Sequence, residues 1–271
     1  MKKATSAMPY SQKLNILDIF VLSSVLTILG IRIFLEITGY PQIGNGNLHV
    51  AHMLWGGLAL TGVGLYLLLS EQPHRYLSAL VSGVGFGFFI DEVGKFVTSD
   101  NNYFFKPSAF LIYIIILSIW IGVRFAVIKV YGGSFLSPAE WPVRRSLRLA
   151  IIVYILFQII SGFIAAIVLI FNGADLLGIT RSLEDFTFAT TLTLCIIYCI
   201  GIWHYYRGRL LLSANTLRIG GLLSTVAVYP FTFYEHQFTA AIGCLVTVAM
   251  IIGLSEASIK SLFSSLLRFK Q

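Results

Sequence analysis

Apolar residues run along this chain in long blocks separated by short polar punctuation. A bilayer core of about 30 Å requires an apolar helix of about 20 residues. Eight blocks suit that requirement, near 14–37, 48–69, 78–98, 109–128, 149–171, 186–206, 217–234 and 238–258. The seventh is short and contains Pro230, and only Glu235-His236-Gln237 parts it from the eighth. Fused into one segment, the last two would be too long for a single crossing. The pattern predicts an all-α polytopic transmembrane helix bundle of about eight spans.

Composition agrees. The chain is 57% hydrophobic and 11% charged, with mean hydropathy +0.84, whereas a soluble domain carries about a quarter charged residues. A net charge of +7 raises nucleic acid as a partner. That partner is set aside, because the basic residues sit in short loops between apolar spans, as membrane orientation requires. With the amino terminus inside, fifteen of the nineteen Lys and Arg fall on the inner side, and only Lys106 and Arg181 fall in outer loops. An odd number of spans would spoil this bias. Both termini are therefore expected to be cytoplasmic, and Met1-Lys2-Lys3 is expected to precede an uncleaved first span. Cys195, Cys199 and Cys244 lie inside apolar spans and read as small packing residues.

The longest and most basic loop, 129–148, divides the chain into 1–128 and 149–271, two groups of four spans. Leu67-Leu-Leu-Ser70 precedes Glu92 by the same interval as Leu210-Leu-Leu-Ser213 precedes Glu235, a hint of a parallel repeat.

The chemistry concentrates in Gly87-Phe-Phe-Ile-Asp91-Glu92-Val-Gly94-Lys95-Phe96, where three ionisable residues interrupt an apolar span. Such charges are costly in lipid and usually face a bundle interior. Asp91 lies thirteen residues into span three, about 20 Å along a helix. Arg32 and Glu36 end span one, His49 and His52 begin span two, and Glu235 and His236 follow span seven. Topology puts all of these near the outer face, together with Asp100, Asn101 and Asn102. Gly83 and Gly87, with Gly56 and Gly57, allow spans two and three to pack closely, bringing His52 towards Asp91 and Glu92. Tyr103-Phe104-Phe105 reads as an interfacial aromatic belt, with a substrate lid as the alternative.

A bland account pairs these charges locally. Asp91 and Glu92 both reach Lys95 along one helix, and Arg32 reaches Glu36. The sharper account is an outward-opening cavity. There His49, His52, Glu235 and His236 supply ligands for zinc or another divalent metal. Asp91 and Glu92 serve as general base or ligand, and Lys95 stabilises developing negative charge. Arg32, Glu36, Asn102 and Tyr103 contact the substrate. No HExxH-like signature accompanies the histidines.

The run Phe89-Ile-Asp91-Glu92-Val-Gly94-Lys95-Phe96, followed by Asp100-Asn-Asn102-Tyr103-Phe104-Phe105, resembles a group of bacterial multi-pass membrane proteins that carry this motif. His52-x-x-Trp55-Gly56-Gly57 and Phe233-Tyr-Glu235-His-Gln-Phe238 extend the likeness. The resemblance implies an architecture and a bacterial inner-membrane location, but no chemistry. A looser similarity to membrane metal-dependent lipid hydrolases rests on His and Asp gathered at one membrane face; their paired HxxxH pattern is missing here. Three functions are thus expected as alternatives: an enzyme acting on a lipid or lipid-linked group, an ion-coupled transporter or channel, and a structural or assembly subunit. The lipid bilayer is the partner common to all three, with a lipid, small molecule or ion as ligand.

Overall fold

The described apolar stretches are helical, as a backbone in hydrocarbon must satisfy its own N–H and C=O groups. The structure, a computed structural model, describes residues 9–39, 51–132, 145–172 and 183–254. Among these there is no strand. Five helices are long and apolar enough to cross a membrane: Tyr10–Thr38, His52–Leu69, Ser108–Tyr131, Ala189–Tyr206 and Leu210–His236. Arg75–Ile90 and Ala241–Ile251 are apolar but shorter, and Ile151–Ile164 is an apolar stretch within the longer helix Arg145–Asn172. Large apolar side chains cover the outside, with Leu68 and Leu69 each 82% exposed and Ile37 79%. A surface of that kind suits hydrocarbon and would associate in water.

Two compact units, Met1–Phe135 and Leu136–Gln271, divide the chain within the basic 129–148 segment. Residues 133–144 of that segment lie outside the described residues.

The first unit contains α1 (Tyr10–Thr38), α2 (His52–Leu69), α3 (Arg75–Ile90), the short α4 (Val93–Val97) and α5 (Ser108–Tyr131). Helix α3 is central, packing on both α1 and α2. Glycine makes both approaches possible. A Cβ on Gly87 would stand 2.7 Å from Ser24 O and from Thr27 Cβ, and one on Gly83 would collide with Ser23 and Phe20. A Cβ on Gly56 would meet Gly85 O at 2.5 Å. The Gly83–Ser23, Gly87–Thr27 and Asp91–Arg32 pairings run in one direction at a nearly constant offset, so α1 and α3 lie parallel in a fixed register.

Span three is not one continuous helix. It breaks at Asp91-Glu92, where Glu92 takes φ −87°, ψ 10°. The Lys95 N–H bonds Glu92 O at 2.9 Å instead of reaching back to Asp91 O. The carbonyl of Asp91 thereby leaves the helical ladder, and Arg32 Nη2 donates to it at 3.0 Å. The break presents both acidic side chains to neighbouring helices, which an unbroken helix would not do in the same way.

The second unit holds α6 (Arg145–Asn172), α7 (Leu183–Tyr206), α8 (Leu210–Leu223), α9 (Tyr229–His236) and α10 (Ala241–Gly253). Its core gathers Ile151, Leu194, Tyr198, Leu217, Met250 and Leu254. Helices α8 and α9 form one continuous rod through a π-helical turn at Ser224–Val228. Tyr229 N–H bonds Ser224 O there, a widened turn that accommodates Pro230, which has no N–H to give. The rod ends at His236, and Gln237 reverses the chain with φ 51° before a 3-10 turn leads into α10. The two Leu-Leu-Leu-Ser runs sit differently: Leu67–Leu69 close α2, whereas Leu210–Ser213 open α8.

Arg124 and Arg218, counted by sequence among the inner basic residues, are buried at 1% and 3% exposure. Arg218 Nε donates to Ile251 O at 2.7 Å.

Candidate functional site

Four segments of the first unit meet at the α3–α4 break. Asp91 is fully buried. Its Oδ1 accepts from Arg32 Nε of α1 at 2.7 Å, and its Oδ2 accepts from the Tyr103 hydroxyl at 2.7 Å. His52, the first residue of α2, places Nε2 3.1 Å from Asp91 Oδ2 and Nδ1 2.9 Å from Glu92 Oε1. Lys95 Nζ bonds Glu92 Oε2 at 3.0 Å. The local pairing foreseen between Glu92 and Lys95 therefore exists, but the remaining contacts join different segments.

Tyr103 holds the cluster together from the loop before α5. Its ring carries the Arg32 guanidinium at 4.2 Å and the Lys95 ammonium at 5.3 Å. It also meets the His52 ring edge-on. Burial pushes the phenol's pKa well above its ordinary value, and the neighbouring Asp91 charge adds to that. The aromatic-belt reading thus fails for Tyr103, whose hydroxyl points inward to a carboxylate. Phe104 beside it is 63% exposed. A Cβ on Gly94 would stand 2.7 Å from Asn102 O, so glycine lets the loop fold back over α4.

The electrostatics are layered. The side chains of Asp91 and Glu92 are 0% and 1% exposed, whereas those of His52, Lys95 and Arg32 are 24%, 22% and 15% exposed. The acids form the floor and the cations the rim. Each ring nitrogen of His52 faces a carboxylate, an arrangement suited to the doubly donating imidazolium. The contact to Glu92 is a close charge pairing without hydrogen-bond alignment, for Glu92 Oε1 is buried and has no hydrogen-bond donor.

The other sequence-derived candidates are each described in their own setting. Glu36 is exposed near the end of α1. Asn102 Oδ1 accepts from Phe104 N–H at 2.9 Å, which fixes the loop. Glu235 and His236 are exposed at the end of α9 in the second unit. His49 lies outside the described residues. Among the described residues no group of three or more His, Cys, Asp and Glu is arranged to hold a metal ion. His52 already directs both nitrogens at carboxylates.

A second ionic centre was not anticipated. Asp18 of α1 accepts from Trp120 Nε1 at 2.9 Å and from Arg124 Nη1 at 3.1 Å, both on α5. Arg124 also lies over the Trp120 ring at 5.0 Å. The available signal was an Arg and a Trp one helical turn apart in an apolar span, with an Asp isolated in another.

No protein family, curated protein or solved structure matches the chain.

Proposed function

We propose that this is a multi-pass membrane protein of about eight spans, with both termini cytoplasmic, that binds the anionic group of a lipid or lipid-linked molecule at the Arg32–His52–Lys95 rim. The observation that carries this reading is the layering of charge. A molecule reaching the site meets three partly exposed cations, with both carboxylates shut behind them. Guanidinium, imidazolium and ammonium donors suit a phosphate or carboxylate oxygen.

In this reading Asp91 and Glu92 are positioning residues. They fix the cations and lower the cost of holding them near hydrocarbon. The charge bias of the loops supports the orientation, and the apolar helices among the described residues support a count near eight. If the site also catalyses, the rim supplies the charge stabilisation for a developing oxyanion. His52 is then the group able to give or take a proton there.

Native mass spectrometry of the protein with equimolar phosphatidic acid and phosphatidylcholine tests the reading. Phosphatidic acid is expected to be retained preferentially, and Lys95→Gln to remove most of that preference. Equal retention of the two lipids, or an unaltered preference in Lys95→Gln, contradicts it.

A further inference from the structure

The seam between α1 and α3 joins the two ionic centres of the first unit. Asp18 and Arg32 are fourteen residues apart on α1, about 21 Å along the helix at 1.5 Å per residue. That distance is most of a hydrocarbon core of about 30 Å. At one end Asp18 pairs with Arg124; at the other Arg32 pairs with Asp91. Extending the Gly83–Ser23 and Gly87–Thr27 register downwards sets Ser78 of α3 level with Asp18. Between the centres lie Ser23, Ser24 and Thr27 of α1. Their hydroxyls donate to carbonyls of their own helix.

Among the described residues of this unit, four buried polar atoms have no hydrogen-bond partner: Asp18 Oδ2, Ser78 Oγ, Glu92 Oε1 and Ser108 Oγ, although Glu92 Oε1 lies in charge contact with His52 Nδ1 at 2.9 Å. A bare carboxylate oxygen away from water is expensive, and its protonation removes the charge that makes it so. Glu92 is 1% exposed and Ser78 6%, so neither atom is satisfied by solvent. The groups facing Asp18 are Arg124 and Trp120 from α5, with Ser78 level on α3. Those facing Glu92 are His52 of α2, Lys95 of α4 and, through Asp91, Arg32 and Tyr103. Buried carboxylates and histidine in membrane helices commonly mark proton relays.

We infer that the α1–α3 seam is a proton relay, with Asp18 and Glu92 as the proton-accepting groups at its two ends and Ser78 beside the first. A proton adds to a carboxylate oxygen that accepts no hydrogen bond, Asp18 Oδ2 or Glu92 Oε1, and leaves again as a proton, so nothing is oxidised or reduced. His52, partly exposed against Glu92, exchanges the proton with the side from which it is reached. The relay shares His52 and Glu92 with the rim at its outer end, whereas Asp18 and Ser78 at its other end take no part in binding there.

Proteoliposomes enclosing a pH-sensitive dye provide the test, with a pH step imposed in the presence of a potassium ionophore. Vesicles carrying the protein are expected to equilibrate protons several-fold faster than protein-free vesicles. Asp18→Asn should return the rate to that of protein-free vesicles, and Asp18→Glu should keep it. Ser78→Ala removes a hydroxyl that bonds nothing in the fold and should slow the flux several-fold without unfolding the protein. Phosphatidic acid retention by Ser78→Ala should stay at the parent level. Flux no faster than protein-free vesicles, or a parent rate in both Asp18→Asn and Ser78→Ala, overturns the relay. Loss of lipid preference in the parent protein would overturn the rim and leave the relay standing.

Discussion

Arg32 grips Asp91 twice, once at the carboxylate and once at the backbone carbonyl released by the break in span three, at 2.7 and 3.0 Å. One side chain thus neutralises a fully buried acid and caps a helix end that lipid could not solvate. Asp91→Asn leaves Arg32 without its charge partner. The expected loss is about 3 kcal/mol, at the low end for a buried pair because Arg32 is 15% exposed. A cycle adding Arg32→Gln should give a coupling energy of about 1–3 kcal/mol in reversible denaturation. Additive single effects would mean that the two residues do not act as a unit.

Tyr103→Phe keeps the ring beneath Arg32 and Lys95 but removes the hydroxyl that donates to Asp91. The expected destabilisation is about 1.5–3 kcal/mol, the range for a hydrogen bond to a charged group. The parent phenol, with its folded-state pKa raised, stays protonated when the unfolded chain ionises near pH 10. Its contribution to stability is therefore complete below pH of about 10 and declines as pH rises beyond it. An ultraviolet titration of the folded protein should show the same phenolate absorbance near pH of about 10 for parent and Tyr103→Phe. A smaller signal in the variant would place Tyr103 in water.

Gly87→Ala and Gly56→Ala test the two approaches to α3 separately. The new methyl meets backbone atoms in both cases, Ser24 O at 2.7 Å and Gly85 O at 2.5 Å, and backbone cannot swing aside. Each should cost about 1–3 kcal/mol in denaturation measurements. Gly57→Ala, whose Cβ meets nothing within 4 Å, should cost far less and serves as the control. Equal effects at Gly56 and Gly57 would contradict the packing of α2 on α3.

What the sequence made legible was governed by hydrophobicity and helix spacing. Long apolar blocks announced helices, and ionisable residues within them announced a cluster that does join Arg32, His52, Asp91, Glu92 and Lys95. The order within that cluster was not legible. The exposure of the cations and the burial of the acids depend on the break at Asp91-Glu92, and nothing in an i, i+3 or i, i+4 pattern reports a broken helix. Tyr103 was read by its position beside two phenylalanines, a pattern in which hydroxyl direction leaves no trace. The pairing of Asp18 with Arg124 was not legible because it joins residues 106 apart in sequence. The π-helical turn ahead of Pro230 was hidden for a similar reason, since proline signals a disturbed helix without saying whether it breaks or widens.

The most direct measurement is an experimentally determined map of the protein in nanodiscs containing phosphatidic acid. The account predicts phosphate density within hydrogen-bonding distance of Lys95 and at least one of Arg32 and His52, with Asp91 and Glu92 still enclosed behind them. A phosphate bound away from these three cations, or either carboxylate turned out to meet the ligand, would contradict it.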